Sequence, residues 1–139
     1  TRGAVREAAK LCAVYGEATT PKVSVIIGEA IGPAYIALAG KASAADLVFA
    51  WPSAVISPLE PAAAVALLKE DTITPEHTRA QAEADYRANE ASAFTVAAAG
   101  YIDNVIEPAA TRQVLASALD LLSSKRESKL PKKHGNLPL

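Results

Sequence analysis

The chain has 139 residues, half of them hydrophobic, and a formal net charge of −1. That length suits one domain with a moderate core, and the composition excludes a disordered chain and argues against a large nucleic-acid footprint. No apolar run reaches the roughly 18 residues that mark a membrane-spanning helix. No apolar leader follows Thr1-Arg2-Gly3, and the lone Cys12 cannot close an internal disulfide, which fits a reducing cytoplasm. A chain that starts at Thr1 and turns helical almost at once reads as a processed or truncated piece of something longer.

Residues 2–18 read as a helix, with Val5, Ala8, Ala9, Cys12, Ala13 and Tyr15 near helical spacing and Cys12 expected on its apolar, core-facing side. Residues 22–28 form a continuous apolar run, the pattern of a buried parallel strand. Gly32 opens the next helix, which runs to about Gly40. Residues 46–51 read as a second buried strand closed by Pro52, and residues 54–57 as a short third. Pro61 stands at the first position of a further helix, and Thr74 is expected to cap another over residues 75–99, too long for one compact helix and broken near Asn89. Gly100 ends it, residues 101–106 are extended, and Glu107-Pro108 starts a last helix with Val114, Leu115, Ala118, Leu121 and Leu122 in one stripe. The sequence shows no internal repeat. Strands alternating with helices indicate a layered α/β domain with mainly parallel pairing. Three or four strands make a thin sheet, as expected of part of a larger fold or of an obligate oligomer.

Candidate chemistry is sparse. A helix N-terminus at the carboxyl end of a sheet, as expected at Gly32-Pro33-Ala34, presents backbone N–H groups and the positive pole of the helix dipole, which suits an anion or a developing oxyanion. The same turn is also what ordinary strand-to-helix geometry requires of glycine. Neither His77 nor His134 has ligand spacing with Cys12 or with acids, so no metal site is expected. Glu70-Asp71 and Glu83/Asp85 read as solvated surface, and Trp51 as a pocket wall or, more commonly, a core plug. The basic residues from Lys125 to His134 read as an irregular arm, either meeting a phosphate-rich ligand or packing on a neighbouring subunit.

Three stretches taken together resemble one family. Gly32-Pro33-Ala34-Tyr35, then Ala50-Trp51-Pro52-Ser53-Ala54, resembles the Gly-Gly-Ala-Tyr turn and Ala-Trp-Pro-(Thr/Ser)-Ala segment of the carboxyltransferase subunits of biotin-dependent acyl-CoA carboxylases. Gly100-Tyr101-Ile102-Asp103-Asn104-Val105-Ile106-Glu107-Pro108 with Thr111-Arg112 resembles a second segment of that family, and Lys132-Lys133-His134-Gly135-Asn136-Leu137-Pro138-Leu139 resembles its C-terminus.

The resemblance implies a crotonase-like α/β fold (spiral ββα) and carboxyl transfer between carboxybiotin, on a separate carrier, and an acyl-CoA such as acetyl-, propionyl- or methylmalonyl-CoA. It places residues 1–124 in the later part of the C-terminal carboxyltransferase domain, with 125–139 as a C-terminal arm, so that this chain supplies the biotin-side half of a site shared between subunits. It implies Gly32 and Ala34 as the catalytic turn, whose N–H groups stabilise an enolate-like oxygen of biotin, with Gly32, Pro33, Ala34, Tyr35 and Ile36 contacting cofactor and substrate and Trp51 supporting them. Ile36 stands where the family lines its acyl pocket, and its branched side chain implies a small apolar acyl group. The implied partners are acyl-CoA, a biotin carboxyl carrier protein, a biotin carboxylase subunit and further copies of the chain in a dimer-built hexamer. Pro33 departs from the family's second glycine and carries no N–H, so that Ala34 N–H is left to serve. Residues 57–61 also differ from the family's usual Met-Gly continuation. Two other readings follow: a structural module that has lost the donor chemistry, and a hydratase or hydrolase of the same superfamily, for which Glu29 is the nearest carboxylate.

Overall fold

A computed structural model describes residues 3–38, 40, 41, 43 and 45–127. Helix α1 (Ala4–Glu17) leads into β1 (Val23–Ile26), β2 (Glu29–Ile31) and α2 (Pro33–Leu38). The pattern then recurs as β3 (Leu47–Ala50), β4 (Val55–Ser57) and α3 (Pro61–Leu68). Helices α4 (Arg79–Asp85) and α5 (Ala93–Ala98), joined through a π-helical turn at Tyr86–Glu90, precede β5 (Asn104–Val105) and α6 (Thr111–Leu122).

The strands sort into two sheets by their place in each repeat. β1, β3 and β5 make one sheet in the order β1-β3-β5, and β2 and β4 make the other, with every pairing parallel. The first two turns of the chain each contribute one strand to each sheet before the helix packs back, which is a ββα spiral, and the third adds β5 to the first sheet. The sequence shows no repeat because the units match in topology and not in residues. β2 was not expected: Glu29-Ala30-Ile31 is a three-residue strand with glycine on either side and only partial burial, too short for a period to register.

β3 is central and buried on both faces. Val48 and Ala50 point into a cluster with Ile26, Ile56, Ala93, Val96 and Ile102, beneath α5. Phe49 points the other way, against Ile106 and Ala118, beneath α6. The strict alternation of a strand divides one apolar run between two layers. A third cluster of Ala64, Val65, Ala82, Tyr86 and Ala91 joins α3, α4 and the π turn.

Three expectations are corrected. Cys12 is exposed, as is Val5 one side-chain row along, so the face of α1 that carries them does not enter the core of this chain. Leu121, expected in the apolar stripe of α6, is 72 % exposed, while Ala118 carries the contact. The helix expected from residue 75 starts at Arg79, capped by Thr78 in a reciprocal pair with Gln81, whereas Thr74 binds the His77 N–H in the preceding turn. The expected break near Asn89 is present as the π turn.

Candidate active site

The turn at Gly32 lies at the carboxyl end of a parallel sheet, as expected, but of the second sheet: β2 ends at Ile31. The N–H of Gly32 donates to the Ser57 carbonyl at 2.9 Å and continues the β2–β4 ladder by one bond. Its own carbonyl accepts from Tyr35 N–H at 3.1 Å and Ile36 N–H at 3.4 Å, which closes the first turn of α2. Gly32 takes φ of +73° to connect the two, and a Cβ built there meets no atom within 4 Å. Glycine is required here for its backbone angle and not for want of room. Pro33 takes the first helical position, where a missing N–H costs the helix nothing. Gly32 thus spends its N–H on Ser57, Pro33 has none, and Tyr35 bonds back to Gly32.

Beside α2 lies a cleft of about 450 Å³, walled by Tyr35 and Ile36 from α2, Ile56 and Pro58 around the end of β4, Tyr86 from the π turn and Tyr101 beyond α5. Of the predicted residues, Tyr35 and Ile36 are in its wall; Gly32 and Pro33 are not among its described lining. The charged groups at its rim are engaged with others: Lys41 pairs with Asp103, and Glu90 with Lys69. The wall is mostly hydrocarbon and aromatic surface, which suits an apolar, uncharged group. Burial, and secondarily the neighbouring Tyr101, push the Tyr35 phenol above its ordinary 10.0. It stays protonated at neutral pH and able to donate a hydrogen bond.

Trp51 is placed away from the cleft. It packs in the cluster of Phe49 and Ile106, and its Nε1–H donates to Thr111 Oγ1 at 3.0 Å. It is a core plug. Glu29 is exposed on β2, where Arg87 Nη1 donates to it at 2.5 Å, and it is not among the described residues of the cleft. His77 precedes α4, with Nε2 3.7 Å from Asp85 Oδ2. Among the described residues no three His, Cys, Asp or Glu side chains stand together as metal ligands, and no helix is long and apolar enough to cross a membrane. Of the basic arm, Lys125 is folded onto the domain: its Nζ lies 2.7 Å from Asp46 Oδ1, and Asp46 Oδ2 accepts the Lys22 N–H at 2.7 Å. Lys129, Lys132, Lys133 and His134 lie outside the described residues.

Sequence reasoning missed Tyr86 and Tyr101 as cleft residues. Tyr101 sits just past Gly100 at the end of α5, and Tyr86 sits in the interrupted helix. The interruption was the available signal, because π turns recur at functional sites.

Residues 1–137 match the family model described as carboxyl transferase domain. The chain is 43% identical over 141 residues to the putative propionyl-CoA carboxylase beta chain of Bacillus subtilis, covering 99% of this chain and 28% of that one. It is 40% identical to the methylmalonyl-CoA decarboxylase subunit alpha of Propionigenium modestum, covering 99% of this chain and 27% of that one. Among solved structures it resembles transcarboxylase 12S, a hexamer with hydrolysed methylmalonyl-coenzyme A bound, at a TM-score of 0.87 and 38% identity, over 99% of this chain and 27% of that one. The chain thus spans little more than a quarter of the length of the relatives it matches.

Proposed function

The chain belongs to the carboxyl transferase domain family and has its crotonase-like α/β fold, and on that premise we propose that it carries the biotin-side half of an acyl-CoA carboxyltransferase site. The whole protein would move a carboxyl group between carboxybiotin and an acyl-CoA of the acetyl, propionyl or methylmalonyl class. The observation that carries the reading is the apolar cleft walled by Tyr35 and Ile36 at the start of the helix that the Gly32 turn launches.

In this reading Gly32 holds the turn in its left-handed angle, and Ala34 N–H faces the oxygen on which negative charge grows. Tyr35, a neutral phenol that burial makes still harder to ionise, donates or packs without introducing charge. Ile36 gives the cleft an apolar wall that favours a small apolar acyl group. Carboxybiotin, brought by its carrier, would supply the carboxyl group. No side chain is assigned as a general base.

The partners in this reading are acyl-CoA, a biotin carboxyl carrier protein, a biotin carboxylase subunit and further copies of the chain, in the cytoplasm. Residues 1–124 form part of the C-terminal carboxyltransferase domain, and 125–139 an arm whose root is held by Asp46. The test is decarboxylation of malonyl- and methylmalonyl-CoA by the full-length protein with and without free biotin. Turnover that requires biotin supports carboxyl transfer.

One observation favours a second reading, a structural module of a carboxyltransferase-like assembly: Gly32 and Pro33 offer no free N–H between them. Absence of turnover from a folded oligomer selects that reading.

A further inference from the structure

We propose that Tyr86, locked by Ser57 and the π turn, forms the floor of the cleft and sets the length of the apolar group the cleft accepts. The inference rests on the carboxyltransferase reading for the identity of that group, an acyl chain, and on geometry alone for the role of the floor.

Tyr86 is 7 % exposed and lines the cleft. Its Oη lies 2.9 Å from Ser57 Oγ, and Ser57 is 1 % exposed. Ser57 Oγ donates its one proton to the Leu59 carbonyl at 2.7 Å, so Tyr86 is the donor to Ser57. The backbone is fixed as well: Ala91 N–H donates to the Tyr86 carbonyl at 3.0 Å, the five-residue spacing of a π turn. That turn aims the ring from the third apolar cluster toward the cleft, and the ring stands between the two.

Behind the ring the buried packing partners are Ala64, Val65, Ala82 and Ala91, with Val55 and Ile73 half-buried against the same cluster. The buried four are small and placed around α3, α4 and the π turn, so none of them has the length to fill the space a lost phenol leaves. Truncation at Tyr86 therefore lengthens the cleft instead of collapsing it. Loss of the hydroxyl alone does not, because the ring still blocks the way.

The experiment compares the full-length protein with Tyr86→Ala and Tyr86→Phe. Two series are read: kcat/KM for carboxyl transfer with straight-chain acyl-CoAs of increasing length, and calorimetric binding of unreactive S-alkyl-coenzyme A thioethers of the same lengths. In Tyr86→Ala, each methylene beyond the parent's preferred length is expected to tighten binding by roughly fourfold, the gain from burying one CH2. Tyr86→Phe is expected to keep the parent's order of preference. If Tyr86→Ala is folded and keeps the parent's chain-length order in the binding series, or if Tyr86→Phe shifts that order equally, Tyr86 is not the floor. The thioether series stands without turnover. A protein that binds them with the predicted shift but transfers no carboxyl group overturns the carboxyltransferase reading and leaves the floor in place.

Discussion

The carbonyl of Ser57 at the end of β4 accepts the N–H of Gly32 at 2.9 Å, just past the end of β2. One hydrogen bond thus ties the turn that launches α2 to the strand beside it and holds Gly32 in its left-handed angle. Gly32→Ala retains the bond but forces a side chain into that angle, at about 1–2 kcal/mol. Because a Cβ there meets no atom within 4 Å, the loss should not exceed the backbone term. Thermal unfolding of the full-length protein and its variant checks this, and an unchanged midpoint would show that the turn is not strained in this way.

Pro33→Gly adds a backbone N–H to the turn, beside the Ala34 N–H to which the proposed function gives the oxyanion. A second oxyanion donor is expected to raise biotin-dependent turnover by about tenfold or more, since losing one such donor typically costs on the order of a hundredfold. The start of α2 should weaken at the same time, because proline pre-sets the first helical position. Steady-state rates with and without biotin decide the point. A structural module is expected to show no turnover in either form.

Ile36 walls the cleft while remaining 50 % exposed. Ile36→Asp puts a carboxylate beside apolar surface, and kcat/KM for propionyl-CoA is expected to fall by roughly tenfold or more, mostly through KM, as transfer of an apolar group to a charged wall loses its burial energy. An unchanged KM would place the acyl group elsewhere.

Asp46 and Lys125 fasten the root of the C-terminal arm to the start of β3. Burial pushes the Asp46 carboxyl up, but hydrogen bonds from Lys125 and from Lys22 N–H outweigh it and hold the group below its ordinary 3.8. Hydrogen bonds to Asp46 and Glu127 hold the Lys125 ammonium above its ordinary 10.5. A lowered carboxyl contributes stability that is present above 3.8 and lost as pH falls through its folded value. A raised ammonium contributes stability that is present below 10.5 and lost as pH rises through its folded value. Near neutrality both contributions are present, so denaturant midpoints should not vary with pH through this pair, and Asp46→Asn should flatten the acid limb of the profile.

Trp51→Phe removes the Nε1–H donor to Thr111 and part of the packing beneath α6. It is expected to lower stability by about 1–2 kcal/mol, read by denaturant unfolding, with carboxyl-transfer kinetics unaltered. A selective change in KM for acyl-CoA would return Trp51 to the substrate pocket.

The strands that an apolar run can announce were legible. Val23–Ile26 and Leu47–Ala50 are long enough and buried enough to read as parallel strands, and Gly32 and Gly100, both at positive φ, mark the ends they were expected to mark. The two-sheet spiral was legible only through the family resemblance and not through the strand pattern, because β2 is three residues between glycines, one exposed and two half-buried, and without it β4 has no strand to pair with. Of the site, Tyr35 and Ile36 were placed by their resemblance to a family turn and fall in one cleft. Tyr86 could not be, since its position depends on a π turn and on a hydrogen bond to Ser57, which lies 29 residues away in the chain. For Trp51 the commoner reading, a core plug, is the one the structure shows; the pocket-wall alternative stayed open because strand alternation, which puts it beneath α6, fixes a face only once the covering helix is known.

The most direct measurement is the biotin-dependent decarboxylation of methylmalonyl-CoA by the full-length protein. Loss of the carboxyl group that requires added biotin and falls when the Gly32 turn is altered is the result predicted for a carboxyltransferase half-site. A folded, oligomeric protein that releases no carboxyl group from malonyl- or methylmalonyl-CoA, with or without biotin, would contradict it.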